Sequence, residues 1–198
     1  MSAALAGKVI ALAGTGSERD RAIAMACAEA GADVALGTSD RSQEFAMASI
    51  ANEVWAVGRE QFVRVLDACD PVAVTAWADE VWDRLGRCDV LVTACDAPSG
   101  IPLDELAHAE FVTGLERNLA APFLAAQAFG RLMERSRGGL IVLLAPATPG
   151  DAACRAAAAG LSGLAAAINE SWAPEAVRAV VVEGASPGAA AAAVLAAL

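Results

Sequence analysis

Residues 9–36, VIALAGTGSERDRAIAMACAEAGADVAL, decide how this chain is read. Two apolar runs of strand length, VIALA and ADVAL, flank a glycine-bearing bend and a segment, DRAIAMACAEAG, whose apolar spacing suits a helix. Strand, tight turn, helix and strand form the unit that lays a dinucleotide's pyrophosphate on a helix N-terminus, where glycines let the backbone approach the phosphates. Here the bend carries Glu18 and Asp20. Carboxylates complement the positive end of a helix dipole. They also put negative charge where a pyrophosphate would sit. Two unit charges about 4 Å apart repel by roughly 4 kcal/mol at an effective dielectric near 20, and by roughly 1 kcal/mol in water.

Outward from this unit, the short apolar runs QFVRVLDA, CDVLVTA, GGLIVLLAP and VRAVVVEG alternate with longer helical segments. The runs are apolar on both faces, as strands of a helix-covered parallel sheet must be. The intervening helical segments are SQEFAMASIANEV, PVAVTAWADEVWDRLGR, the long stretch at 104–139 and CRAAAAGLSGLAAAINESWA, while GAAAAAVLAAL reads as a terminal helix. The alternation predicts an α/β class: a Rossmann-like, doubly wound parallel sheet of about six strands, in one domain over residues 1–198.

Composition narrows the function classes. The chain is 57% hydrophobic, enough for a sizeable core. A net charge of −10 with 14 basic residues leaves no electrostatic footprint for nucleic acid or an anionic membrane, so neither is expected as a partner. Five cysteines (Cys27, Cys69, Cys88, Cys95 and Cys154) form no CxxC pair, and His108 stands alone, so no metal site is expected. The first residues run straight into a strand with one lysine, unlike a signal peptide, and no uncharged apolar run reaches membrane-spanning length. A cytoplasmic domain with buried thiols is the expectation.

Taken in order, these segments resemble a short-chain dehydrogenase/reductase over nearly the whole chain. AGADVALG resembles the family's second strand, and VLDACDPVAVTAWADEVWDRLGRCDVLV its third strand, the following helix and its fourth strand. ERNLAAPFLAAQAF resembles the helix that carries the family's active-site asparagine, here Asn118, and AAAAGLSGLAAAINESWAPEAVRAVVV a later helix and the sixth strand. The family's TGxxxGxG turn falls on residues 13–20, where the first glycine is Gly14 and the other two become Glu18 and Asp20. Gly14 and Gly16, with Asp67, are the residues the resemblance assigns to any cofactor. Asp67 falls where the family contacts the adenine base, and equally suits capping the turn after its strand. Arg41 lies near the family's 2′-phosphate position, and Arg19 and Arg21 would offset the two carboxylates if they turned inward. The family's NNAG becomes Thr93, Ala94, Cys95, Asp96.

The catalytic positions depart further. The family uses a tyrosine as proton donor or acceptor, a lysine that lowers its pKa, a serine and an asparagine. Tyrosine is absent from the chain, the YxxxK positions fall on Cys154 and Ala158, and the serine position falls near Ala145 or Pro146. Asn118 remains as a vestige of the site, although an asparagine there also serves to bond backbone at a helix bulge. A thiol at Cys154, with an ordinary pKa of about 8.5 and alanine neighbours, lacks the lysine that would tune it.

After the sixth strand, the family's substrate-covering lid and last strand are expected to be missing, because SPGAAAAAVLAAL goes directly into a late helix. Loss of glycines, catalytic residues and lid together implies a non-catalytic subunit with no cofactor, partnered with itself or with a related, active dehydrogenase. The alternative is a divergent NAD(P)-dependent oxidoreductase, and a weaker one is a nucleotide or small-ligand sensor. The resemblance implies an oligomer joined through the helices holding Asn118 and Ala158, both rich in small apolar residues.

Overall fold

All six apolar runs become strands of one parallel sheet: β1 (Val9–Ala13), β2 (Asp33–Thr38), β3 (Gln61–Val65), β4 (Val90–Thr93), β5 (Gly139–Leu144) and β6 (Val177–Val182), in the order β3-β2-β1-β4-β5-β6. This is a computed structural model, and it describes residues 4–94, 100–145, 150–183 and 186–198. Register follows the apolar pattern, with Ile10 paired to Val34 on one side and Val90 on the other.

Strand side chains alternate between two cores. Ile10, Leu12, Val34, Leu36, Val90, Val92 and Val142 meet α1 (Glu18–Glu29), α2 (Glu44–Ala56) and α7 (Pro187–Ala197) through Ile23, Met47, Val54 and Val194. Val9, Ala11, Ala35, Leu91, Ile141 and Leu143 face α3 (Pro71–Leu85), α5 (Ala121–Arg135) and α6 (Ala152–Trp172) through Trp77, Phe129, Leu161 and Ile168. Burying each large aliphatic or aromatic side chain contributes about 1.5–3 kcal/mol. That two-sided burial is why β1, β2, β4 and β5 are apolar almost throughout, while the edge strands β3 and β6 expose Arg64 and Arg178.

Local signals fix the helix ends. Asp70 caps α3, with Pro71 in its first turn, and Gly86 ends the helix in the left-handed region at φ 79°, where a side chain would be strained. Asp151 caps α6 by accepting from the Cys154 amide at 2.9 Å. The long helical segment expected at 104–139 begins later, at α4 (His108–Leu115), where Glu110 accepts the Ala107 amide. A π-turn over Glu116–Ala120 joins α4 to α5. Its cause is Pro122, which has no N–H to offer the preceding turn and crowds it; widening that turn, with the Ala121 N–H reaching Glu116 O, lets the helix continue. After β6 the chain enters α7, which packs on α1. No described helix is long and apolar enough to cross a membrane.

Candidate functional site

β1 lies between β2 and β4, so the direction of winding reverses beside it, and the crevice at the carboxyl ends of the strands opens there. A cavity of ≈ 570 Å³ occupies this place. Its lining comes from the ends of β1 (Ala13, Gly14, Thr15), β2 (Gly37 to Arg41), β3 (Leu66 to Cys69) and β4 (Thr93, Ala94), with Val74 and Trp77 of α3 and Arg117, Ala121, Pro122 and Ala125 from the π-turn and α5. The size lies within the range of about 300–1,000 Å³ typical of small-molecule sites.

The first turn is organised around Asp20. Its carboxylate Oδ2 accepts the Thr15 amide at 2.8 Å, the Ser17 amide at 3.1 Å and the Thr15 hydroxyl at 3.2 Å, while Ser17 Oγ accepts the Asp20 amide. The side chain is wholly buried, and a Cβ placed on Gly14 would meet its Cγ at 2.8 Å. Amides that could cradle a phosphate are therefore held by an internal carboxylate. Glu18 behaves differently: its side chain is 78% exposed and lies 3.5 Å from Arg21. Of the two acidic residues, only Asp20 occupies the turn.

Arg21 does not turn inward. It donates to both carboxylate oxygens of Glu53 on α2, at 2.8–3.0 Å. Arg19 does turn toward the crevice and donates to Ala145 O, just beyond β5, at 3.1 Å. Arg41 lines the cavity mouth with a weak contact to Glu44. Asp40 stands beside it, its carboxyl held below the ordinary range by hydrogen bonds from Ser42, with a smaller contribution from Arg117.

The remaining sequence-predicted residues separate. Gly14 and Asp67 line the cavity. Asp67 also caps the turn after its strand, accepting the Cys69 amide at 2.9 Å. Gly16 falls outside the cavity lining; at φ 74° it packs on α2, where a Cβ would meet that of Ala46 at 2.8 Å. Asn118 also lies away from the cavity, 4% exposed, and its Nδ2 donates to Gly114 O at 3.0 Å, bonding the backbone ahead of the bulge. Cys154 is 2% exposed on the inner face of α6, its thiol pushed up by burial and then by the Asp151 charge. Cys95, Asp96 and Pro146 lie outside the described residues. Trp77 and Arg117 join the site although sequence reasoning assigned them no role, and Thr93 comes from the segment aligned with the family's NNAG. Trp77 is spaced like a core residue of α3, three after Val74, and nothing in the sequence marks its indole N–H.

An NAD(P)-type dinucleotide fits this crevice only in part. The cavity beside Asp67 suits one end of such a molecule, while the Thr15 and Ser17 amides of the turn that would take its pyrophosphate are held by the buried Asp20. Among the described residues no cluster of three or more His, Cys, Asp or Glu side chains is placed to hold a metal ion.

Residues 8–197 match the short chain dehydrogenase family. The chain is 35% identical over 141 residues to D-threitol dehydrogenase of Mycolicibacterium smegmatis, covering 71% of this chain and 53% of that protein. It is 32% identical over 182 residues to a 3-oxoacyl-(acyl-carrier-protein) reductase of Staphylococcus aureus, covering 88% and 72%. It thus spans about half the length of the threitol enzyme. Among solved structures, a metagenomic short-chain oxidoreductase in complex with NADP superposes with a TM-score of 0.85 at 29% identity, over 97% of this chain and 90% of that one. A family match over nearly the whole chain, on a six-stranded sheet with its crevice beside β1, places this protein in the short-chain dehydrogenase family.

Proposed function

We propose that this chain is a non-catalytic member of its family, acting as a structural or interaction subunit beside a second copy or a related, active dehydrogenase. One observation carries the reading: no tyrosine exists to transfer a proton, and the residues at the family's tyrosine and lysine positions are Cys154 and Ala158. Cys154 is buried in the core with its thiol pushed away from ionisation, and the chain's one lysine, Lys8, is paired with Asp89. A general acid must reach substrate and titrate near the working pH. Neither residue meets both needs.

The subunit role draws on the outer surface of α4, α5 and α6. Val112, Leu115, Leu119, Phe123 and Leu164 form an apolar groove there, with Phe123 half-exposed. Ala157 and Gly160 are turned inward, Gly160 against Leu119, so a contact between copies would use Ala159, Ser162, Gly163 and Ala166. A second reading, a divergent NAD(P)-dependent oxidoreductase, is favoured by the relatives: matched curated proteins are named as dehydrogenases, reductases and probable oxidoreductases, and one structural neighbour of similar length is in complex with NADP.

Turnover separates the two. With alcohols, ketones and acyl thioesters, and either nicotinamide cofactor, the purified chain is expected to give no change in nicotinamide absorbance above background. Robust turnover abolished by Cys154→Ala would replace the first reading with the second.

A further inference from the structure

The six-stranded sheet ends on β3 and β6, and the two edges are protected differently. β3, reading QFVRV, exposes Arg64, which lies 3.4 Å from Glu80 on α3. Charged side chains of this kind discourage an edge from pairing with another chain. β6 reads VRAVVV, and its one charged residue, Arg178, turns to the end of α7 and donates to Ala197 O at 2.7 Å. A run of valines on an edge, with little charge and no proline, is a composition that pairs readily with a further strand.

The amides of Gly139 and Ala145, at the two ends of β5, donate to Ala176 O and Val182 O. Backbone groups alternate sides along a strand, so those of Val177, Ala179 and Val181 turn away from β5 toward the edge. At the middle of that edge stands Asn169, near the end of α6. Its Oδ1 accepts the Ala179 amide at 2.7 Å, and its Nδ2 donates to Ala179 O at 2.9 Å. One carboxamide makes both of the hydrogen bonds that a neighbouring strand would make to this residue. Ala179 is 4% exposed, so leaving its N–H and C=O without partners would be unfavourable. Among the described residues no side chain bonds Val177 or Val181 in this way. Asparagine is also a weaker helix former than the alanines before it in α6, so helix formation does not account for its place.

We infer that Asn169 is an edge guard: by occupying the backbone of β6 at Ala179, it keeps a second copy of the chain from adding its own β6 to this sheet. Without the carboxamide, the edge presents the backbone groups of Val177, Ala179 and Val181 beside three successive valines. A second copy's β6 is the matching strand, because a two-fold axis sets two such edges antiparallel. Contact between copies is then confined to helix faces. The inference holds whether or not the chain transfers hydride.

Size-exclusion chromatography with light scattering, run on the full chain over a range of concentrations, tests it. Asn169→Ala is expected to assemble into species larger than the wild type, with an intermolecular β band in the amide I infrared spectrum. Adding Val181→Pro removes an outward N–H while leaving the bonds to β5 in place, and is expected to return Asn169→Ala to wild-type size. Glu170→Ala, at the exposed neighbouring position, is expected to keep wild-type size. Asn169→Ala folded and of wild-type size at every concentration, an assembly that Val181→Pro leaves unchanged, or equal assembly by Glu170→Ala would each overturn the inference. Hydrogen exchange tests the wild-type chain without a substitution. Corrected for intrinsic rates, the Ala179 amide is expected to exchange about two- to tenfold more slowly than that of Val181. Equal rates would overturn the inference as well.

Discussion

The two halves of the crevice share one sheet but have parted in what their rims can do. On the side of β1, β2 and β3 the strand ends open into a cavity with polar groups turned toward it. Toward β5 and α6, the positions that the family resemblance aligns with its proton-transfer residues fall near Ala145 or Pro146 and on Cys154 and Ala158, and the amides of the first turn are held by Asp20. The strands beneath are alike: β4 and β5 alternate between the same two cores as β1 and β2. Packing constrains the central strands of both halves, because β1, β2, β4 and β5 are buried on both faces, and it places no demand on a catalytic tyrosine or lysine. A fold can therefore be held while the residues at the rim of its crevice vary.

The largest expected effect strikes the shared framework. Phe129 is fully buried and meets Trp77 edge-to-face, with ring centroids 4.9 Å apart, so Phe129→Ala is expected to cost about 3–5 kcal/mol in urea unfolding. A much smaller cost would mean that the core below the crevice is loosely packed. Next comes Asp20→Ala, which leaves the Thr15 and Ser17 amides without their acceptor and is expected to cost about 1–3 kcal/mol. A stabilising outcome would mean that charge burial outweighs the hydrogen bonds. Smallest is Glu18→Gln at the exposed neighbour, expected to change stability by less than about 0.5 kcal/mol and dinucleotide affinity not at all. If Glu18→Gln raised dinucleotide affinity, the assignment of the blocking role to Asp20 alone would fail.

The framework was legible because burial writes itself into composition. Six mostly apolar runs announce six strands, the four central ones buried on both faces, and Asp70-Pro71 followed by Gly86 marks both ends of α3. The site was only partly legible. Gly14 and Asp67 fell where the turn and strand-end patterns put them, but Gly16 serves α2 packing, and sequence spacing cannot tell a glycine facing a ligand from one facing a helix. Glu18 and Asp20, two residues apart near the start of a helix, carry the same charge; helical geometry sends one to solvent and folds the other back onto the turn amides. Trp77 and Arg117 reach the cavity from α3 and the π-turn, whose placement depends on tertiary packing that no local pattern reports.

The contrast between the two halves is most directly tested by following backbone amide resonances of the wild-type chain during titration with NADP. The account predicts that the amides of Thr15 and Ser17, held by Asp20, stay in place. Large, saturable shifts of Thr15 and Ser17 on adding NADP, with Asp20 displaced from them, would contradict it.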